Sequence, residues 1–315
     1  MKPTLGPFLV GIGSLLWATD AIVRVPAIAK SDPAFLVFVE HLIGVLALIP
    51  ILLFKSGTRL FQLGGLKNWL GCAFVGAGGS AIALLLFTEA FQYLNPTLNI
   101  LLQKTQPVAV VLIAQWVLGE RPSRNFFKWA SVVVFACVVL NIFETPMPNF
   151  SPSPSPLKGV LFSLGASFIW AVSTVTGKRL LHQVDPLIAT FWRFVFGLAT
   201  LCVILHFGSG FSKLNTLFDP SVRLTYLYLG LFPGVLAMWT YYSGMKHTTA
   251  ATTTIVELIF PVGAILLNYH FLDTILTPLQ IVFTLVLLLS VTQISLIHGD
   301  EYGTGSGAPS TEPRS

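Results

Sequence analysis

Charge is scarce in this chain. Only 10% of its 315 residues are Asp, Glu, Lys or Arg, whereas soluble domains carry about 25%. The hydrophobic fraction is 54%. This composition excludes an ordinary soluble domain and indicates a membrane protein. The net charge of +5 does not indicate nucleic-acid binding, because the basic residues fall in short segments between apolar runs rather than in one stripe.

Residues and motifs that carry chemistry are few as well. The three cysteines, Cys72, Cys137 and Cys202, each lie within an apolar run and form no Cys-x-x-Cys pair, so we interpret them as small packing residues. The six histidines are scattered, and no HExxH, GxSxG or Walker motif occurs. The sequence therefore predicts no catalytic residues, no metal, no cofactor and no direct use of ATP.

Long apolar runs are what the sequence has in abundance. Each is about 20 residues long, the length that crosses ~30 Å of hydrocarbon as a helix, whereas barrel strands are half as long and alternate in polarity. The pattern predicts an all-α integral membrane protein with ten transmembrane helices. The ten predicted spans are residues 5–24, 34–54, 69–88, 97–118, 126–143, 157–177, 186–207, 222–243, 250–272 and 277–297.

An internal repeat relates the two halves of the chain. A shift of 153 residues superimposes Ser14, Trp17, Ala18, Asp32, Pro33, Phe38 and Gly44 on identical residues, and a shift of 154 does so for Gly76 and Pro107. We predict a five-helix repeat at 5–143, a Ser/Pro-rich linker at 144–156, a second repeat at 157–297 and a disordered cytoplasmic tail at 298–315. Because five is odd, the second repeat must enter the membrane inverted, a common device of transporters.

The basic residues between the spans predict the orientation. Positively charged loops favour the cytoplasmic side. With the N-terminus inside, the inner segments carry 11 basic residues and the outer segments 5. The inner set is Lys2, Lys55, Arg59, Lys67, Arg121, Arg124, Lys128, Lys178, Arg179, Lys246 and Arg314. We therefore expect both termini in the cytoplasm and a location in the plasma membrane, which is the inner membrane of a bacterium.

Three stretches point to a family. They are "PFLVGIGSLLWATDAIVRVPAIAKSDPAFLVFVEHLIGVLAL", "FTEAFQYLNPTLNILLQKTQPVAVVLIAQWVLGERPS" and "YYSGMKHTTAATTTIVELIFPVGAILLNYHFLD". They resemble the EamA-type domains of the drug/metabolite transporter superfamily, although Leu272-Asp273-Thr274 replaces the Gly-Glu that ends the second stretch. The resemblance implies a ten-helix bundle with a central cavity lined chiefly by helices 1, 3, 4, 6, 8 and 9. It implies transport of a metabolite without specifying which one.

Polar residues on helices 4 and 9 are candidates for the cavity wall. Asn99, Gln103 and Gln106 are spaced to share one face of helix 4, and Thr253 and Glu257 occupy the corresponding places on helix 9. Polar groups at membrane depth face protein or water. The alternative is that they serve as interhelical hydrogen-bond partners, which we favour for the threonines.

Two repeated residue types sit in mid-span. Trp17 and Trp170 lie deep in helices 1 and 6, and they either line the cavity or pack the repeats together. Pro107 and Pro261 each remove one backbone hydrogen bond, which predicts a kink that either opens carbonyls to the cavity or only aids packing.

Four charged residues lie at membrane depth. Counting 1.5 Å per residue from the helix starts places Glu40 and Lys104 at similar depths in the outer half and Arg193 and Glu257 in the inner half. We predict two charge pairs, Glu40–Lys104 and Arg193–Glu257, that a substrate could displace in one state. The alternative for Lys104 is that it snorkels outward along its stem.

Other polar residues have simpler interpretations. Asp20 and Arg24 are four residues apart on one helical face and are expected to pair near the outer end of helix 1. His41 is interpreted as structural and Glu89 as hydrated.

We therefore expect a secondary active transporter that moves a small polar metabolite, such as an amino acid or an organic acid, by alternating access as an exporter or exchanger. Its partners are a small-molecule substrate and the lipid bilayer, with protons or a counter-substrate as the coupling partner. The rival classes are a lipid flippase or scramblase and, less favoured, an integral-membrane enzyme.

Overall fold

The regular structure of the protein is helical. A computed structural model describes residues 5–55, 60–61, 63–118, 123–142, 155–208, 214, 217, 219–248 and 250–302, and no strand occurs among them. The predicted all-α fold class is confirmed for this part of the chain. The α-helices in chain order are α1 (Leu5–Ala18), α2 (Asp20–Ile28), α3 (Pro33–Lys55), α4 (Leu66–Phe74), α5 (Ala83–Ala90), α6 (Pro96–Leu102), α7 (Gln106–Leu118), α8 (Arg124–Ile142), α9 (Pro156–Leu180), α10 (Pro186–Phe207), α11 (Pro220–Leu229), α12 (Ala237–Met245), α13 (Ala250–Glu257), α14 (Ile259–Leu272) and α15 (Pro278–Tyr302).

Several of these helices join into longer apolar stretches. Within the described ranges, eight stretches are long and apolar enough to cross a bilayer. The prediction of a multi-pass membrane protein is thereby confirmed. The eight stretches are Leu5–Ile28, Pro33–Lys55, Leu66–Ala90, Pro156–Leu180, Pro186–Phe207, Val222–Met245, Ile255–Leu272 and Pro278–Ile297.

The two other predicted spans, 97–118 and 126–143, coincide with α6–α7 and with α8. Most of the predicted linker and tail lies outside the described residues. Helix α15 runs on to Tyr302, past the predicted start of the tail at residue 298.

Helices α3 and α10 pack directly against each other across the two halves. The rings of His41 on α3 and Phe194 on α10 are 5.0 Å apart between centroids. Each ring lies over a glycine of the opposite helix, His41 over Gly197 and Phe194 over Gly44. A Cβ at Gly197 would lie 2.7 Å from the His41 ring, so only glycine permits this approach. These four residues are related by the 153-residue shift, and the contact is therefore reciprocal.

One short π-helical segment interrupts the third membrane-spanning stretch of each half. The first π segment is Val75–Ile82, and the second is Gly230–Leu236. A Cβ on Gly76 would lie 2.7 Å from the carbonyl oxygen of Arg193, and one on Gly230 would lie 3.1 Å from that of Glu40. π-helical turns are rare and recur at functional sites. Here the glycines bring the two segments against the backbones of α10 and α3.

A short 3-10 turn, Gln103–Thr105, separates α6 from α7 just before Pro107. Proline has no backbone N–H with which to bond the carbonyl four residues earlier. That carbonyl, on Gln103, accepts a hydrogen bond from Ser167 Oγ at 3.2 Å, so the interruption is filled by a residue of the other half.

The second half breaks at the matching place. Helix α13 ends at Glu257, the chain turns at Leu258, and α14 resumes at Ile259, two residues before Pro261. Each of the two mid-span prolines is thus associated with an interruption of its helix.

Helices α8 and α15 lie together away from the centre. Leu140, Leu287 and Val291 are fully buried members of one apolar cluster that joins them. Elsewhere large apolar side chains such as Phe54 and Phe207 remain exposed. Exposed apolar side chains are expected where lipid replaces water as the solvent.

Candidate substrate cavity

A central cavity lies between the two halves. It contains about 1080 Å³ of empty space, its open mouth included. Both repeats contribute to its wall, including the two π segments, and α3 and α10 contribute as well, which the resemblance to EamA-type domains did not lead us to expect. Aromatic side chains form much of the wall: Trp17, Phe87, Trp170, Phe194, Tyr241, Tyr242 and Phe260.

Most of the predicted site residues reach this cavity. Trp17, Gln103, Gln106, Trp170 and Glu257 line it. Gln106 Nε2 also donates to Thr174 Oγ1 at 3.2 Å, across the interface between α7 and α9. Two of the three residues on the predicted polar face of helix 4 therefore lie in the cavity wall.

Three predicted residues do not line the cavity. Asn99 is fully buried, and its Nδ2 donates to the carbonyl oxygen of Phe87 at 3.0 Å. Its predicted place in the wall was wrong, because its side chain faces α5 and bonds the backbone there. Thr253 is buried outside the wall, and Lys104 lies behind Glu257.

The partner of Lys104 is not the predicted one. Its Nζ lies 3.7 Å from Glu257 Oε1 and 4.9 Å from the centroid of the Phe260 ring. Lys104 is 4% exposed, so it does not snorkel outward. The pair joins α13 of the second half to the 3-10 turn of the first half.

Glu40 also has another partner. Its Oε2 accepts from Arg24 Nη2 at 2.8 Å, and Arg24 bonds both carboxylate oxygens of Asp20 at 2.6 Å. Arg24 further donates from Nη1 to Thr88 Oγ1 at 3.2 Å. The predicted Glu40–Lys104 pair was therefore wrong, because one guanidinium on α2 serves two carboxylates. The predicted Asp20–Arg24 pair is confirmed.

Arg193 pairs with hydroxyl groups. Its Nε donates to Ser80 Oγ of the first π segment, and its Nη1 donates to Tyr242 Oη at 2.8 Å. Glu257 is occupied by Lys104 and by Tyr241, whose hydroxyl donates to Glu257 Oε2 at 3.1 Å. The predicted Arg193–Glu257 pair was wrong for this reason. Among the described residues no carboxylate lies within 4.0 Å of Arg193.

The two mid-span tryptophans make the same contact in opposite directions. Trp17 Nε1 donates to the carbonyl oxygen of Pro233 at 3.0 Å, and Trp170 Nε1 donates to that of Gly79 at 2.8 Å. Gly79 and Pro233 occupy matching positions in the two π segments at a shift of 154 residues. The tryptophans both line the cavity and join the halves, so the two roles left open by the sequence coexist.

Three buried polar atoms of the cavity residues have no hydrogen-bond partner in the part of the chain that the structure describes. They are His41 Nε2, Gln103 Nε2 and Ser173 Oγ. Buried polar groups are normally satisfied, and an orphan that faces a cavity indicates a bound ligand or water.

Some cavity residues were missed from the sequence. Ser80, Ser173, Tyr241 and Tyr242 gave no separate signal, although the two tyrosines stand in the quoted stretch that begins "YYSGMK". No cluster of three or more His, Cys, Asp or Glu side chains that could hold a metal occurs in the described ranges.

Membrane-length helices surround a cavity that both halves share, an architecture that suits a multi-pass membrane transporter. The chain belongs to the EamA-like transporter family, whose model matches residues 4–143 and again residues 157–296. The resemblance noted from sequence is thereby confirmed, and the family's character as transporters points away from an enzyme.

Named relatives agree with this assignment. The chain is 29% identical over 298 residues to the riboflavin transporter ImpX of Fusobacterium nucleatum, covering 93% of this chain and 98% of that protein. It is 26% identical to an uncharacterized transporter of Archaeoglobus fulgidus, covering 84% and 88% of the two chains. A solved crystal structure with 21% identity superimposes with a TM-score of 0.61 over 92% of this chain and 96% of the other, which shows the fold alone.

Proposed function

We propose that the protein is a secondary active transporter that moves a small polar metabolite by alternating access. The supporting observation is the reciprocal contact in which Trp17 bonds Pro233 and Trp170 bonds Gly79 across one cavity. Transport by inverted repeats requires the halves to exchange conformations around a fixed site. A contact that each half makes on the other in the same way suits such an exchange.

The proposed topology has ten spans in two inverted repeats, at 5–143 and 157–297, with both termini in the cytoplasm. The excess of basic residues in the inner segments, 11 against 5, supports this orientation. The proposed location is the plasma membrane, which is the inner membrane of a bacterium.

Two carboxylates are candidates for coupling. Glu40 and Glu257 line the cavity and pair with Arg24 and Lys104. In the proposed cycle, protons or a counter-substrate drive the exporter or exchanger by competing for these groups. Because a ligand shifts a conformational equilibrium only by binding one state better, the coupling species must contact one of the pairs in one state alone.

The cavity chemistry narrows the solute. Its wall combines aromatic rings with Gln103, Gln106 and charged groups, which suits an organic solute with an apolar or aromatic body and polar ends. Riboflavin, named for the relative ImpX, is the first candidate to test, because its planar ring matches the aromatic wall. Amino acids and organic acids form the rest of the panel.

Transport into proteoliposomes tests the proposal. Purified protein is reconstituted, and uptake of labelled riboflavin, aromatic amino acids and organic acids is measured with and without a proton gradient or internal solute. We expect at least one solute to be taken up faster than into protein-free liposomes and to respond to one of the two driving conditions. Uptake indifferent to both would remove coupled transport.

The rival lipid flippase or scramblase is tested in the same vesicles. Fluorescent lipids are placed in both leaflets, and those of the inner leaflet become accessible to an impermeant quencher only if the protein moves them. We expect no protein-dependent change in the protected fraction.

A further inference from the structure

Arg193 is the buried cation of the cavity that lacks a charged partner among the described residues. Arg24 faces Asp20 and Glu40, and Lys104 faces Glu257. Arg193 is 7% exposed, yet among the residues that the structure describes it hydrogen-bonds only the neutral hydroxyls of Ser80 and Tyr242. A cation buried without a counter-charge is costly unless an anion reaches it.

The guanidinium of Arg193 keeps one nitrogen free. Nε and Nη1 are held by Ser80 and Tyr242, which orient the plane of the group, whereas Nη2 makes no hydrogen bond within the described part of the chain. Nη2 lies beside Gly79, 3.3 Å from the position that a Cβ would take there. When two nitrogens of a guanidinium are hydrogen-bonded, the third nitrogen is held in place as a donor.

A second donor converges on the same place. Ser173 is 2% exposed, and its Oγ lies 2.5 Å from that Cβ position of Gly79. Within the ranges that the structure describes, this Oγ has no hydrogen-bond partner. Gly79, Ser173 and Arg193 all line the cavity. The wall beside Gly79 therefore offers a positive charge and one further donor.

We propose that Arg193 Nη2 and Ser173 Oγ form a subsite for an anionic oxygen group, a carboxylate or a phosphate, of the transported solute. This inference rests on the proposed transport function and narrows its substrate class to organic anions. Charge-assisted bonds from a guanidinium to such groups are among the stronger hydrogen bonds in proteins. The indole of Trp170, which bonds Gly79, places an aromatic surface next to the subsite for the body of the solute.

The subsite separates solutes that differ by one anionic group. Riboflavin and flavin mononucleotide share a ring and differ by a phosphate, and 3-phenylpropanamide and 3-phenylpropanoate differ by a carboxylate. Inhibition of counterflow by each member of both pairs is measured in wild-type proteoliposomes. We expect the anionic member of at least one pair to bind at least about tenfold more tightly, and which pair responds distinguishes phosphate from carboxylate.

Substitution of Arg193 then tests the assignment. Arg193→Gln should raise KM for the preferred anion about tenfold or more, with a smaller change in kcat and less than about threefold change for the neutral member. Arg193→Lys should restore part of the preference, since it returns the charge without the fork. Arg223→Gln is the matched control, because Arg223 is exposed and lies outside the cavity.

The outcomes are separable. If no solute of any panel is moved by the wild type, the transport proposal itself fails. If transport occurs but neutral members are preferred in both pairs, or the anion preference survives in Arg193→Gln, the subsite is overturned and the transport function stands. If Arg193→Gln does not fold, the wild-type comparison and Ser173→Ala decide, since Ser173→Ala should weaken the anion more than its neutral counterpart.

Discussion

The two halves of the cavity make the same contacts with each other but differ in charge at matching positions. The tryptophans of both halves donate to matching π segments, and their rings pack on matching aromatics, Trp17 on Tyr241 at 4.8 Å and Trp170 on Phe87 at 5.5 Å. In contrast, the position of Glu40 in the first half holds Arg193 in the second. The contacts with the backbone therefore follow the repeat, whereas the charged residues do not.

The charges also differ in how they are satisfied. Glu40 finds its cation, Arg24, within its own half, whereas Arg193 is held by Ser80 of the first half and Tyr242 of the second. We infer that the ion pairs of Arg24 with Asp20 and Glu40 stabilise the fold. Arg193 is the charged group that remains available to a solute.

The largest effect is expected from removing Arg24, the cation that pairs with Asp20 and Glu40 in the first half. Arg24→Met leaves the Asp20 and Glu40 carboxylates buried without a partner and should cost about 3–5 kcal/mol of stability. Thermal unfolding in detergent measures the loss. The triple variant Asp20→Asn, Arg24→Met, Glu40→Gln should recover most of it, and Arg223→Met should change little. Equal stability of Arg24→Met and wild type would contradict the inferred role.

The pair that joins the halves is tested by reversing its charges. Lys104→Glu places a second carboxylate beside Glu257 and should reduce transport about a hundredfold, because buried like charges repel. Glu257→Lys in the same chain should restore transport by about tenfold, as expected for a coupled pair. Initial uptake rates check this, with Lys67→Glu at an exposed position as the control. A double variant no better than Lys104→Glu would show that the contact is incidental.

The close approach of the first π segment to α10 is tested by adding a methyl group to one glycine at a time. Gly76→Ala would bring Cβ to 2.6 Å from Phe196 Cβ and 2.7 Å from the Arg193 carbonyl, and should cost about 2 kcal/mol. Gly78→Ala, in the same π segment, meets nothing closer than 3.4 Å and should be nearly neutral. The unfolding temperatures of the two variants measure these losses of stability. Similar losses in both would mean that the close approach to α10 does not matter.

The smallest expected effect concerns the indole hydrogen bonds. Trp17→Phe and Trp170→Phe keep an aromatic ring but remove one bond each, which should cost about 1 kcal/mol apiece. The two losses should match if the contacts are equivalent. A large difference in unfolding temperature between the two variants would show that the two indole hydrogen bonds do not contribute equally to stability.

Several features of the fold were accessible from sequence for a physical reason. Helix length in a bilayer is set by hydrocarbon thickness, so composition alone located most spans. The repeated Trp and Asp-Pro positions revealed the duplication, and Pro107 and Pro261 marked both interruptions because proline cannot bond the preceding turn.

The pairing of the charges was not accessible. Counting residues along a helix gives depth but not the direction in which a side chain points, so residues at equal depth can face different neighbours. Lys104 and Glu40 were matched by depth, yet Lys104, which lies in the 3-10 turn, pairs with Glu257. Arg24 was assigned only to Asp20, because its reach to Glu40 on the next helix depends on tertiary packing.

Alternating access around one cavity is tested most directly by a single reporter thiol. Thr174 lines the cavity and is half-buried, and Thr174→Cys can be introduced after Cys72, Cys137 and Cys202 are replaced. Labelling by a membrane-impermeant thiol reagent is then timed from each face, with and without the solute identified by uptake. We expect labelling from both faces, with solute changing the two rates in opposite directions. A thiol reached from one face only, under every condition, would contradict it.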